Sequence, residues 1–179
     1  FFEDCTIGQW KADALNVLDN LTTGELILIG SSMGAWLMLL TALERKTRIK
    51  ALIGIASAPD FTENLIWAKL TPGQQQEMQN NGKILIPNCY AGMEPYPITK
   101  QLVEEARNHL LLKAPIPLTC PVRLLHGMAD EDVPFGTSYT LAQTLASTDI
   151  ELHMIKNGDH RLSTPSDLKL LKATLCELL

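Results

Sequence analysis

The stretch LILIGSSMGAWLMLL (26–40) decides the reading of this chain. Four apolar residues, Leu26 to Ile29, come first. A knot of Gly30, Ser31, Ser32, Met33 and Gly34 follows, then a second apolar run. A short apolar run ended by glycine suits a buried strand. A longer run without proline, apolar on nearly every side, suits a buried helix. The knot is then a tight strand-to-helix turn.

The same alternation continues outward. TIGQWKADALNVLDNL (6–21) places Ile7, Trp10, Ala14, Val17, Leu18 and Leu21 at helical spacing, with Thr6 and Gln9 as a capping signature and Gly24 just past the end. ELILIG (25–30) reads as a strand, and residues 33–45 as a helix whose last turn carries Arg45 and Lys46. IKALIGIAS (49–57), PVRLLHG (121–127) and IELHMIK (150–156) read as further strands. GTSYTLAQTLAS (136–147) reads as a helix. A closing helix is capped by Thr164, opened by Pro165 and striped by Leu168, Leu171 and Leu175. Strands alternating with helices predict an α/β fold with a mostly parallel sheet and flanking helices. Residues 60–119 interrupt the rhythm with no obvious core strand. One helix opens at Thr71-Pro72 and stops at Gly82, a second runs from Ile98 to about Lys113, and prolines 87, 95, 97, 115 and 117 punctuate the segment. An insertion this long is expected to serve as a helical lid at the carboxyl edge of the sheet. The organisation expected is a single domain over 1–179 with a lid at about 60–119.

The chain has 179 residues and a net charge of −5, and its basic residues do not cluster. This gives no support for a nucleic-acid partner. No apolar run approaches the ~18 residues of a membrane span. The opening FFEDCTIGQW lacks the basic leader and apolar core of a signal peptide. Cys5, Cys89, Cys120 and Cys176 form no C-x-x-C pair and no zinc spacing, so four reduced thiols and no metal are expected.

Gly30-Ser31-Ser32-Met33-Gly34 fits G-x-S-x-G, in which a serine at a strained turn stands clear of the sheet. Small flanking residues let the chain pass, and Gly30 and Gly34 meet that demand. The Met33 N–H, at the start of the helix, faces any oxyanion formed beside Ser32. A serine needs a base. His160, in the polar loop KNGDHRLS after the last strand, lies at the same sheet edge as Ser32. His109, His126 and His153 are expected in structural or surface roles, with His126 ordering the loop after its strand. The acid comes from HGMADEDVP, which offers Asp130, Glu131 and Asp132, or from Asp60 after the second strand; Asp159 shapes its own loop. The order Ser, Asp, His is that of α/β-hydrolases.

GSSMG, RLLHGMADEDVP and NGDH, in this order, resemble the α/β-hydrolase superfamily. With FEDCTIGQWKADALNVLD, ALIGIAS and GDHRLS, the chain resembles one branch of it, the mitochondrial palmitoyl-protein thioesterases and acyl-glucuronide esterases with their bacterial relatives. The resemblance is weakest at 60–97. It implies Ser32 as nucleophile, Asp130, the aspartate of HG-x-x-D, as acid and His160 as base. It implies hydrolysis of acyl esters or thioesters, free or on a protein, without a cofactor. It implies a cytoplasmic site in a bacterium or the mitochondrial matrix in a eukaryote. The resemblance begins after the family's first strands, so an N-terminally truncated fold is expected, with an exposed sheet edge and without the loop that bears the second oxyanion N–H. Trp67, Leu70, Met78, Tyr90, Met93 and Tyr96 are the candidates for an apolar acyl pocket, Trp67, Tyr90, Met93 and Tyr96 foremost. The rival readings are a non-catalytic hydrolase-like binding module and a serine peptidase of the same fold.

Overall fold

The computed structural model describes residues 2–87 and 94–179. Helix α1 (Ile7–Leu21) opens at Thr6, whose hydroxyl accepts the Gln9 N–H. Strand β1 (Leu26–Ser31), helix α2 (Met33–Glu44) and strand β2 (Ile49–Ile55) follow. A π-helical turn (Thr62–Ile66) then leads to α3 (Pro72–Asn81), β3 (Lys83–Ile86), β4 (Tyr96–Thr99) and α4 (Lys100–Ala106). The chain ends with β5 (Val122–Gly127), α5 (Gly136–Thr144), β6 (Ile150–Ile155) and α6 (Pro165–Leu178).

Strands β1, β2, β5 and β6 form one parallel sheet in the order β1-β2-β5-β6. Its inner strands are buried on both faces, which is why they read as unbroken apolar runs rather than alternating ones. Leu52 and Leu124 point toward α2 and α5, into a cluster with Leu39 and Leu141. Their neighbours Ile53 and Leu125 point the other way, against Leu178 of α6. Helices therefore cover both faces. Thr164 and Asp167 close a full capping box on α6, as Thr71 and Gln74 do on α3.

The β2–β5 connection departs most from expectation. Residues 98 and 99 do not begin a helix: Ile98 pairs with Ile84 across an antiparallel two-stranded sheet, β3 with β4, and the helix starts at Lys100. Helix α4 ends at Ala106, and a 3-10 turn carries the chain to His109, short of Lys113. Pro97 hid this hairpin, because proline argues against a strand. Here it sits in a two-stranded ribbon, where a missing N–H is tolerated. The hairpin buries Ile84 and Ile98 with Ile7, Trp36 and Met78 in a cluster separate from the main sheet. Trp36 is wholly buried. Its indole N–H donates to the His109 carbonyl at 3.0 Å, and its ring meets Phe61 edge-on at 5.8 Å.

Smaller differences have equally local causes. α1 stops at Leu21 with Thr22 extended, and Gly24 takes its left-handed φ of 73° two residues further on. Arg45 caps α2 rather than forming its last turn, and its guanidinium grips Asp19. That bidentate bond holds the Asp19 carboxyl below the usual range. α5 ends at Thr144 rather than Ser147. Leu168 of α6 is exposed, and Leu170, Leu171, Leu175 and Leu178 carry the contact. On α1, Val17 and Leu21 are 53% and 76% exposed, so its apolar stripe is only partly covered.

Candidate active site

The loops after β1, β2, β5 and β6 meet at the carboxyl edge of the sheet, as a parallel arrangement requires. The four non-glycine residues with positive φ among the described residues all lie on these loops: Ser32, Ala56, Asp60 and Leu162. Ser32 has φ 53° and ψ −123°, a conformation costing about 1–3 kcal/mol. Its surroundings hold it there. The Ser32 N–H donates to the Ile55 carbonyl at 2.9 Å, and its carbonyl accepts from Ala35 and Ala58. A Cβ at Gly30 would stand 2.5–2.7 Å from the Gly34 and Ala35 backbone, so only glycine fits. A Cβ at Gly34 would meet nothing within 4 Å. The steric demand expected on both flanks therefore falls on Gly30. Met33 is the first residue of α2, so its N–H belongs to the positive end of the helix beside the Ser32 side chain.

Ser32 Oγ lies 3.1 Å from His160 Nε2, and His160 Nδ1 lies 2.8 Å from Asp130 Oδ2. An ionised carboxylate only accepts, so the ring hydrogen sits on Nδ1 and the serine hydroxyl donates to Nε2. The His160 side chain is 14% exposed and the Asp130 side chain 0%. Asp130 Oδ1 accepts the N–H groups of Asp132 and Val133, each at 2.9 Å. A close crossing sets the distance between the two loops. A Cβ on Gly127 would stand 2.2 Å from the Gly158 carbonyl oxygen, and the Ala129 N–H donates to that carbonyl at 3.0 Å. Asp159 accepts the Arg161 and Leu162 N–H groups and so shapes the loop that carries His160.

The other expected residues are dispersed. Asp60 is buried away from His160. Its two oxygens accept the Leu111 and Leu112 N–H groups at 2.8 Å each and pin the loop after β2 to the segment before β5. Burial pushes its carboxyl above the usual range despite those two donors. His109 bonds Glu105 at 2.6 Å, and Glu105 also accepts the Gly8 N–H, which ties α4 to α1. His153 pairs with Glu151 at the β6 edge. His126 is buried beneath Asp130.

A cleft of about 410 Å³ opens over Ser32 and His160. It is lined by Phe2, by Phe61 with Leu65 and Ile66 of the π-helical turn, and by Ile86, Tyr96 and Ile98 of the hairpin. Glu131, Asp132 and Val133 also line it. Of the expected pocket residues, Tyr96 lines the cleft. Trp67 does not: its ring lies under the Arg107 guanidinium at 5.0 Å. Met78 and Leu70 pack into the hairpin cluster instead. Tyr90 and Met93 lie outside the described residues. Ile86 and Ile98 of the hairpin went unnamed as pocket residues from sequence, although the apolar KILI and YPIT segments carried the signal. Phe61 and Leu65 carried no periodic signal, because a single π-turn has none.

Among the described residues, Asp130, Asp132 and His160 place ligand atoms within 4.8 Å of one another. The Asp130 oxygens are already engaged by N–H donors, so this grouping fits a hydrogen-bonded relay better than an open cation site. No helix among the described residues is long and apolar enough to cross a membrane.

Comparisons with known proteins identify the family and the fold. Residues 10–177 match the prolyl oligopeptidase family. The mitochondrial palmitoyl-protein thioesterase ABHD10 of Mus musculus is 42% identical over 176 residues, covering 98% of this chain and 59% of the relative. The Homo sapiens protein of the same name is 39% identical over 177 residues, with 99% and 58% covered. The chain thus spans somewhat under two thirds of the length of these relatives. The structure of alpha/beta hydrolase domain-containing protein 10 from mouse superposes with a TM-score of 0.90 at 41% identity, over 97% of this chain and 69% of that one. A protein from Agrobacterium vitis S4 gives 0.94 at 36% identity, over 99% and 70%.

Proposed function

The chain belongs to the prolyl oligopeptidase family and has an α/β-hydrolase fold, and from this premise we propose that it is a serine hydrolase of acyl esters and thioesters. The observation that carries the reading is the hydrogen-bonded series from Asp130 through His160 to a strained Ser32 beneath an apolar cleft. In the proposed reaction Ser32 Oγ attacks the acyl carbonyl while His160 Nε2 takes its proton. Asp130 stabilises the resulting imidazolium, and the Met33 N–H faces the oxyanion. His160 then gives the proton to the leaving thiol or alcohol. Water enters, His160 deprotonates it, and the acyl-enzyme is hydrolysed.

The substrate class follows from the cleft and the relatives. Phe61, Leu65, Ile66, Ile86 and Ile98 offer an apolar wall to an acyl chain, and relatives at about 40% identity are named palmitoyl-protein thioesterases. We read residues 60–119 as a lid on a single domain, and the substrate as an acyl ester or thioester, free or carried on a protein. The relatives' names favour a mitochondrial site for a eukaryotic chain; for a bacterial one the reading is cytoplasmic. The family match favours one alternative, a serine peptidase.

Labelling with a fluorophosphonate tests the chemistry. The adduct is expected on Ser32 and absent from Ser32→Ala; an adduct that survives this substitution overturns the assignment. A panel of p-nitrophenyl esters, acyl thioesters and aminoacyl amides separates esterase from peptidase, with faster amide cleavage deciding for the latter.

A further inference from the structure

A second histidine underlies the site and takes no part in the relay of Ser32, His160 and Asp130. His126 lies in β5, an inner strand of the sheet, and is 0% exposed. Its Nε2 stands 3.0 Å from the Val133 carbonyl oxygen and 3.2 Å from Asp130 Oδ2. Its Nδ1 stands 2.6 Å from Ser138 Oγ, itself wholly buried in α5. A carbonyl can only accept, so Nε2 carries a hydrogen. In the neutral ring Nδ1 then bears the lone pair, and the Ser138 hydroxyl donates to it. The loop of residues 128–133 returns the contact. The Val133 N–H donates to Asp130 Oδ1 while the Val133 carbonyl accepts from His126. Three N–H groups therefore donate to the Asp130 carboxylate, Asp132 and Val133 at Oδ1 and His160 at Oδ2, and the His126 ring, bonded to the Val133 carbonyl, packs 3.2 Å from Oδ2.

We propose that His126 is a positioning residue for Asp130, with Ser138 holding its ring in the Nε2–H form. This rests on the reading of Ser32, His160 and Asp130 as a catalytic relay. Asp130 serves that relay only while an oxygen lone pair points at His160 Nδ1. Its own loop has no strand or helix to hold that angle. His126 supplies it, because β5 is hydrogen-bonded on both sides and the ring bridges from that strand to the loop and to α5. Loss of the ring leaves the Val133 carbonyl without this donor and removes the group packed 3.2 Å from Asp130 Oδ2. The neutral form also leaves Asp130 its full charge for the His160 imidazolium, which a cationic neighbour would offset.

Two readouts test the proposal on the full chain. One is the low-field proton NMR signal of His160 Nδ1–H, which needs no turnover; the other is the rate of fluorophosphonate labelling. His126→Leu is expected to keep the far-UV circular dichroism of the wild type, to lose the low-field signal and to label about 10- to 100-fold more slowly, the scale of leaving a buried acceptor unsatisfied. His126→Gln, whose amide N–H reaches the Nε2 position, is expected to retain the signal and label within about threefold of wild type. Should His126→Leu fail to fold, Ser138→Ala leaves the ring in place and is expected to label several-fold more slowly with a broadened signal. A folded His126→Leu with an intact signal and wild-type labelling overturns the proposal. So does a His126→Gln no better than His126→Leu, since packing alone would then explain both. If the wild-type chain does not label at all, the hydrolase reading fails, and the low-field signal alone decides the role of His126.

Discussion

At Ser32 a single backbone conformation carries the functional argument. A positive φ on a non-glycine residue persists only where its surroundings over-determine it. Here the Ile55 carbonyl and the Ala35 and Ala58 N–H groups do so. The two glycines of the motif make opposite predictions. Gly30→Ala forces a Cβ into the Gly34 and Ala35 backbone and is expected to destabilise the fold by about 1–3 kcal/mol and abolish labelling. Gly34→Ala places its Cβ in open space within α2 and is expected to be neutral or to stabilise by up to about 1 kcal/mol. Urea unfolding of the two variants checks this; an equally damaging Gly34→Ala would show that the helix start is crowded after all.

Among the elements, the β3–β4 hairpin shows how a site acquires residues that no motif announces. Its strands alternate. Ile84 and Ile98 point into the cluster around Trp36 and Met78, while Leu85 points out and is 63% exposed. Ile84→Ala is expected to cost about 2–4 kcal/mol through lost burial and a cavity, and Leu85→Ala less than about 0.5 kcal/mol. Chemical denaturation separates them, and equal costs would mean that the register of β3 is wrong. Ile98 and Ile86 of the same hairpin also line the cleft, so the Ile84 substitution should slow the turnover of long-chain esters more than that of acetate esters.

Across the whole molecule, the covered and uncovered faces differ sharply. Both faces of the inner strands are packed, yet β1 is an outer strand of the sheet with Ile29 turned to solvent, and α1 shows Val17 and Leu21 one turn apart. Exposed apolar groups favour association. Replacing Val17 and Leu21 by lysine is expected to lower concentration-dependent association in sedimentation velocity and to shift Tm by less than about 2 °C, because neither side chain contributes much burial. A large fall in Tm would instead mean that this face is packed in solution.

The local elements were largely legible in the residues. Buried parallel strands read as unbroken apolar runs, and the caps at Thr6, Thr71 and Thr164 with Pro72 and Pro165 mark helix starts through bonds to near neighbours. The turn from Gly30 to Gly34 was legible for the same reason, since a tight turn between strand and helix is a local event. The hairpin was not, because Pro97 argues against a strand until a partner strand is present to tolerate it. Nor was the fate of the acids. Asp60, Asp130 and Asp132 are equivalent candidates as letters, and resemblance alone singled out Asp130. Folding separates them by hydrogen bonds across long sequence distances: Asp60 to Leu111 and Leu112, and Asp130 to His160. His126 likewise reads as an ordinary strand-end histidine, and its contact with Asp130 exists only once the loop folds back over β5. Short-range spacing is written in the order of residues. Which carboxylate meets which imidazole depends on how loops from separate strands converge at one edge of the sheet, and only the packed structure decides that.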